Sequence, residues 1–214
     1  SGRLIKNGFF YIFISNNYQN YLNGSFLDNS KIIDENYNKM LIENAEILYT
    51  KGMHIIQDNK NKKIKFIQKD SSQIVLFRHG IIKNWEITFF GNKTNNINLS
   101  KNLYSGCINF YNIEFIDINL NVTNTTCDDS VNFVKTSGNI KNLNLNGSKN
   151  DAVDFDFSNI KVDKATVFNV KNDCIDMSYG NYNINQIIVK NCGDKGISVG
   201  EKSNFIGNNI KMEN

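Results

Sequence analysis

Proline is missing from all 214 residues, histidine occurs only twice, and none of the four cysteines stands in a CxxC pair. Without closely spaced Cys or His there is no ligand frame for zinc. No apolar run approaches the ~18 residues that a membrane-spanning helix needs. An excess of one charge is missing too: 24 basic residues against 21 acidic leave a formal +3, too balanced to point to nucleic acid or an anionic membrane. Cys107, Cys127, Cys174 and Cys192 read as small buried thiols, with a Cys107–Cys127 bridge left open as an alternative that spacing does not argue. No signal peptide is visible, and Ser1-Gly2 reads as a cloning remnant ahead of a longer natural chain.

What the chain does contain is asparagine and isoleucine, 39 and 29 of them. Asn is a poor helix former and a good turn residue; Ile is β-branched and favours strands. A 40% hydrophobic and 12% aromatic composition supplies a core, which excludes a wholly disordered tail. The expectation is β structure with many turns.

An internal repeat organises the second half. Asp129-Ser130-Val131-Asn132-Phe133 recurs 22 residues on as Asp151-Ala152-Val153-Asp154-Phe155, then as Asp173-Cys174-Ile175-Asp176-Met177, then as Lys195-Gly196-Ile197-Ser198-Val199. The register extends to apolar columns at Ile140, Val162, Ile184 and Ile206, at Leu143, Ala165 and Ile187, and at Leu145, Val167 and Val189. A 22-residue period built of short alternating strands is the length of one coil of a right-handed parallel β-helix. Helical repeats are longer, ~33 to 47 residues, and carry a 3.6 period. The expected fold is therefore all-β: a right-handed, single-stranded parallel β-helix, a solenoid of ~22-residue coils. It is expected over residues 51–214, with residues 1–50 forming an N-terminal cap or irregular first coils. A helix within 34–45 would serve as that cap. Gly91 to Leu103 and Asn119 to Thr126 are expected as loops leaving the surface.

The runs Asp128-Asp129-Ser130-Val131-Asn132, Asn150-Asp151-Ala152-Val153-Asp154-Phe155-Asp156-Phe157, Asn172-Asp173-Cys174-Ile175-Asp176-Met177-Ser178 and Gly193-Asp194-Lys195-Gly196-Ile197-Ser198-Val199-Gly200-Glu201 carry a resemblance. Over about residues 74–210 the chain resembles a right-handed β-helix module of the pectate-lyase-like superfamily. Such modules occur in bacterial surface and envelope proteins, sometimes beside CotH-type kinase domains. The chain departs from that pattern at Cys174, where Ala is usual, and at Asp128, where Glu is usual. The resemblance implies an extracellular or envelope location. It implies no reaction, because the superfamily hosts lyases, hydrolases, epimerases, tailspikes and inert stalks.

Strand alternation turns Val131, Phe133, Val153, Phe155, Ile175, Met177, Ile197 and Val199 inward, and Asn132, Asp154, Asp176 and Ser198 outward beside Val134, Asp156, Ser178 and Gly200. Rungs ~4.8 Å apart would place Asp154, Asp156 and Asp176 as neighbouring carboxylates. Such a trio suits Ca²⁺, a general acid of raised pKa or, at ~5 Å separation, a retaining glycosidase. The Asp129, Asp151, Asp173 column enters the strand at a corner, where capping of backbone amides is the simpler account. Lys195 ends that column. Asp154, Asp176 and Lys195 are the candidate catalytic residues; Asp156, Tyr179, Tyr182, Asn132 and Ser198 are the candidate substrate contacts. Exposed Tyr104, Tyr111, Tyr179 and Tyr182 would stack on sugar rings. Arg78-His79 lies several coils from Lys195, ~20 Å or more, so one site using both is not expected. The leading functional expectation is a β-helix that binds or presents to a polysaccharide or cell-surface glycan without a complete catalytic site. The alternatives are a lyase or C5-epimerase with Ca²⁺ on an Asp ladder, and a trimeric phage-tail or adhesin stalk.

Overall fold

The structure is a computed structural model that describes residues 3–7, 10–14, 37–92 and 104–213. The chain divides into two units, Ser1–Ile32 and Ile33–Asn214. In the first, β1 (Arg3–Asn7) and β2 (Phe10–Ile14) pair antiparallel.

The second unit is an all-β solenoid of about six turns, and strands make up 72% of the structure. No helix occurs among the described residues. It begins with β3 (Tyr37–Ile42), β4 (Ala45–Thr50), β5 (His54–Asp58), β6 (Lys63–Ile67), β7 (Val75–Lys83) and β8 (Glu86–Phe90). Here β3–β4, β4–β7 and β5–β6 are antiparallel, whereas β6–β8 is parallel. The helix expected within 34–45 is corrected: residues 34–36 lie outside the described residues, and Tyr37–Ile42 is a strand. Asn38, Asn44 and the β-branched Ile42 disfavour a helix there, and β4 pairs with Tyr37–Ile42 along its whole length.

From β9 (Gly106–Thr125) onward every pairing is parallel. β9 bends through a corner. Its first part pairs β10 (Asp129–Val134) and its second pairs β11 (Ser137–Ser148). Asn119–Thr125 is thus strand and not the expected loop; Leu120 and Val122 drive it inward as a core column. Of Gly91 to Leu103, residues 93–103 lie outside the described residues. One face continues through β12 (Asp151–Asp156), β14 (Ile175–Ser178) and β16 (Ser198–Val199); the other through β13 (Asn159–Val170), β15 (Asn181–Cys192) and β17 (Asn204–Glu213).

The 22-residue register holds: Val131↔Val153↔Ile175 and Asn132↔Asp154↔Asp176 are rung partners. All of Val131, Phe133, Val153, Phe155, Ile175 and Met177 are fully buried, and Phe110, Phe133 and Phe155 stack at 5.0 and 4.8 Å. The last turn departs from the expectation. Asp176 pairs with Ser198, 22 residues on, but Asn181 pairs with Asn204, 23 on. One inserted residue therefore moves Ile206 opposite Asn183, out of the column of Ile184, and leaves it 58% exposed. Val199, expected inward, is 47% exposed, because no further rung covers it among the described residues.

The corner between the faces forces a left-handed residue in each turn: His79, Asn112, Lys135, Phe157, Tyr179 and Lys202 all have φ between 51° and 55°. Further along the second face, Gly138 (φ +106°) is irreplaceable, since a Cβ there would come 2.0 Å from the Phe115 carbonyl oxygen.

Candidate functional site

The strands β10, β12 and β14 bring acidic and amide side chains to one outer face. Alternation dictates this: with Val153, Phe155, Ile175 and Met177 inward, Asp154, Asp156 and Asp176 must face out. All three are half-buried. Asn132 is nearly covered and its amide is 2.8 Å from Ser105 Oγ, 3.3 Å from Asp154 Oδ2 and 3.4 Å from Asp129 Oδ2. Asp176 Oδ1 accepts the Met177 N–H at 2.9 Å. Ser198, the next rung, is half-buried opposite Asp176.

Burial and crowding raise the proton affinity of three acids here, Asp129, Asp154 and Asp156. Burial, reinforced by Asp151 and Asp128 against hydrogen bonds from Ser105 and Asn132, pushes Asp129 up to about 6. Burial, then Asp129, Asp176 and Glu201, pushes Asp156 up to about 7. Asp154 is raised well above the usual carboxylate range by burial and by Asp156, Asp129, Asp176 and Asp151. Among the described residues none of Asp129, Asp151, Asp154, Asp156 and Asp176 joins an ion pair, and no described cation offsets the crowding.

The corner column does backbone work. Asp151 Oδ1 accepts the Asp173 N–H at 2.9 Å and the Asn172 amide at 2.7 Å; Asp173 Oδ1 accepts the Lys195 N–H at 2.8 Å. Asp151 and Asp173 thus each cap the amide one rung on, whereas the Asp151 N–H donates to the Asp128 carbonyl at 3.0 Å and not to Asp129. Lys195 Nζ is held 3.1 Å from Asp173 and 2.6 Å from Asp194, so its charge is already balanced before any ligand arrives.

The aromatic expectation needs correcting. Tyr182 is 2% exposed and Tyr111 3% exposed; Tyr104 is half-buried. Tyr182 shares the inward parity of Ile184, and its hydroxyl lies 3.0 Å from the Phe155 carbonyl and 2.8 Å from that of Ser178. Burial raises its pKa. Tyr179 does flank the acids, but its ring stacks on Phe157 at 4.9 Å and 15° on one side while Lys202 Nζ stands 6.0 Å away over the ring. One face of this half-buried ring is therefore taken by Phe157.

Arg78 shares a lateral row with Tyr111, Val134 and Asp156, three rungs from the last, ~14 Å. It is paired with Glu46, Nε to Oε1 at 2.6 Å. His79 stands apart, 3.1 Å from the Asn112 amide. Among the described residues no group of three or more His, Cys, Asp or Glu is placed to hold a metal ion, so Asp154, Asp156 and Asp176 do not form a ready Ca²⁺ cage.

The thiol reading is overturned as well. Cys107–Cys127 and Cys174–Cys192 are both disulfides, and no free cysteine remains. The sequence did hold a signal for this: Cys107, Ser130, Ala152 and Cys174 fall in one column, and Ser148, Val170 and Cys192 fall in the facing one. Asp129 was likewise missed as a member of the acid cluster, although it precedes Asn132 by three residues. No family model, curated protein or solved structure matches this chain.

Proposed function

We propose that this solenoid is a carbohydrate-binding module of the extracellular space or cell envelope, and that it takes a glycan on the β10–β12–β14 face. The observation that carries the reading is the row Asp154 and Asp176 with Asp156 beside it: half-buried hydrogen-bonding groups at rung spacing on a strand surface, with the nearly covered Asn132 below them. A polyhydroxylated ligand supplies further donors to these carboxylates, beyond the Asn132 amide and the Met177 N–H. The resemblance to surface β-helix modules supports the location, and so do two disulfides, which persist in oxidising compartments. The test is calorimetric titration with a panel of neutral, acidic and amino-sugar oligosaccharides. Asp154→Asn/Asp156→Asn should weaken binding at least tenfold. Absence of binding across the panel sinks the reading.

A second reading is favoured by one observation. Asp156 holds its proton to about pH 7, where a general acid or base works best. A lyase or C5-epimerase would use that group with Asp154 and Asp176, and with Ca²⁺ if a substrate carboxylate completes the ligand set. Appearance of unsaturated-product absorbance on an acidic polysaccharide with millimolar Ca²⁺, abolished by Asp176→Asn, would establish it.

A further inference from the structure

Two phenylalanines stand on the outside of the solenoid. Phe90 in β8 and Phe168 in β13 face outward, because their neighbours Phe89 and Val167 are fully buried in the core. Phe90 is 39% exposed and Phe168 half-buried. Phe90 pairs with Thr123, Thr123 with Asn146, and Asn146 with Phe168. One lateral row therefore carries a phenyl ring at each end, three rungs or ~14 Å apart.

Between the rings the surface is amide and hydroxyl. The adjacent row, two residues back along each strand, holds Asn121, Asn144 and Thr166. The Asn144 amide donates to Asn121 at 3.0 Å, and the Asn169 amide to Asn146 at 2.8 Å. Each bond fixes a carboxamide and uses one N–H. An amide has two N–H donors and two lone pairs on its oxygen. The remainder is solvated, and it can pass to a ligand's hydroxyls without leaving any group buried and unpaired. Because the stack already holds these side chains, a ligand need not immobilise them.

This strip carries no charge, in a chain with 24 basic and 21 acidic residues. Charge returns at its borders. Lys65 stands two rungs before Asn121, and Lys190 one rung after Phe168. Glu86 and Lys164 end the neighbouring row of Asn119 and Asn142. An ionic ligand finds no counter-charge within the strip. Its groups recur from rung to rung, so a linear polymer lying along the solenoid meets an equivalent surface at each step.

We propose that this strip is a second binding face, for an uncharged polysaccharide laid along the solenoid. Phe90 and Phe168 take the apolar faces of two sugar rings, and the amides between them take hydroxyls. Aromatic rings supply large apolar contact area, and strands hold them at fixed spacing more precisely than loops would. The strip lies on β8, β9, β11 and β13, whereas Asp154, Asp156 and Asp176 lie on β12 and β14. It stands whether or not the acid row takes a sugar.

The experiment is native electrophoresis toward the cathode through gels containing galactomannan, mixed-linkage β-glucan or dextran, beside a polymer-free gel and one containing polygalacturonate. At least one neutral polymer should retard the wild-type protein. Phe90→Ala/Phe168→Ala should raise the apparent Kd at least tenfold, while Phe168→Tyr, which keeps the ring, should retain binding. Asn146→Glu, which sets a charge between the rings, should weaken retention as well. Asp154→Asn/Asp156→Asn should leave it unchanged. No retardation by any neutral polymer, or retardation by polygalacturonate alone, overturns the proposal. Retention that the Asp variant abolishes and the Phe variant keeps also overturns it, and places the sugar on the acid row instead. A dimer in light scattering that Phe90→Ala/Phe168→Ala dissociates overturns it too, because a second copy would then cover the strip. Asn146→Glu changes an exposed side chain and removes no ring, so it decides the matter if the double alanine variant does not fold.

Discussion

On the face formed by β9, β11, β13 and β15, the Asn142 amide donates to Asn119 at 2.7 Å, Asn144 to Asn121 at 3.0 Å, and Asn191 to Asn169 at 2.8 Å. On the face formed by β10, β12 and β14, Asp154 lies over Asn132 and Asp176 over Asp154. The backbone rule is the same, one rung above another. The chemistry differs because an amide carries both a donor and an acceptor, whereas an ionised carboxylate only accepts. A stack of amides satisfies itself and stays neutral. A stack of carboxylates repels itself until protons, or a ligand's donors, supply what is missing. The solenoid thus amplifies whatever it repeats: stability on one face, unmet hydrogen-bonding demand on the other.

The sharpest break of this comparison sets inside against outside at neighbouring residues. Ile175 is fully buried, so Ile175→Asp leaves an unpaired charge in the core, at a cost of about 3–5 kcal/mol. That is a large part of the ~5–15 kcal/mol of an ordinary domain. The variant should be unfolded or insoluble, while Asp176→Asn should fold and melt no lower than wild type. Two variants with equal, native melting temperatures would refute the inward and outward assignment.

A smaller effect separates the two faces by pH. Asp129 is held at about 6 and Asp156 at about 7, above the ~3.9 of an unfolded Asp. The folded chain binds more protons than the unfolded chain between these values. Their stabilisation is therefore full below pH ~4 and is lost as pH rises through ~7. Wild type should melt lower at pH 8 than at pH 5.5, and Asp156→Asn should recover about 1–3 kcal/mol at pH 8, flattening the profile. A profile that Asp156→Asn leaves unchanged would remove Asp156 from the cluster.

The smallest effect comes from carrying the acidic chemistry to the amide face. Asn144→Asp removes the donor to Asn121 and should cost about 0.5–1.5 kcal/mol at pH 8, read from the urea midpoint. The loss should shrink at pH 4, where the new carboxyl can donate. Equal losses at both values would mean that the amide stack is not what holds this face.

Much of this fold was legible because a solenoid writes its geometry into a period. The alternation through Val153-Asp154-Phe155-Asp156 names both the core and the acid row. The same alternation read backward from Ile184 places Tyr182 inside, a parity that its phenol disguised. The period misled in the last turn: between Val199 and Asn204 one added residue swung Ile206 out of its column, and Val199, still in register with Met177, is left exposed. Residues 37–42 were opaque because their partner, β4, is found by pairing and not by repetition.

The sequence by itself determined the repeat length, the strand parity and the row Asn132, Asp154, Asp176, since these depend only on spacing along the chain. Tertiary structure decided which cysteines pair, because that depends on how each turn brings the two sides of a corner together. It stacked Tyr179 on Phe157, since the corner repeats from rung to rung and sets these two left-handed residues one above the other. It also decided the proton affinity of Asp129, Asp154 and Asp156, because a carboxyl's charge state is set by its distance from water and from other charges, neither of which is written along the chain.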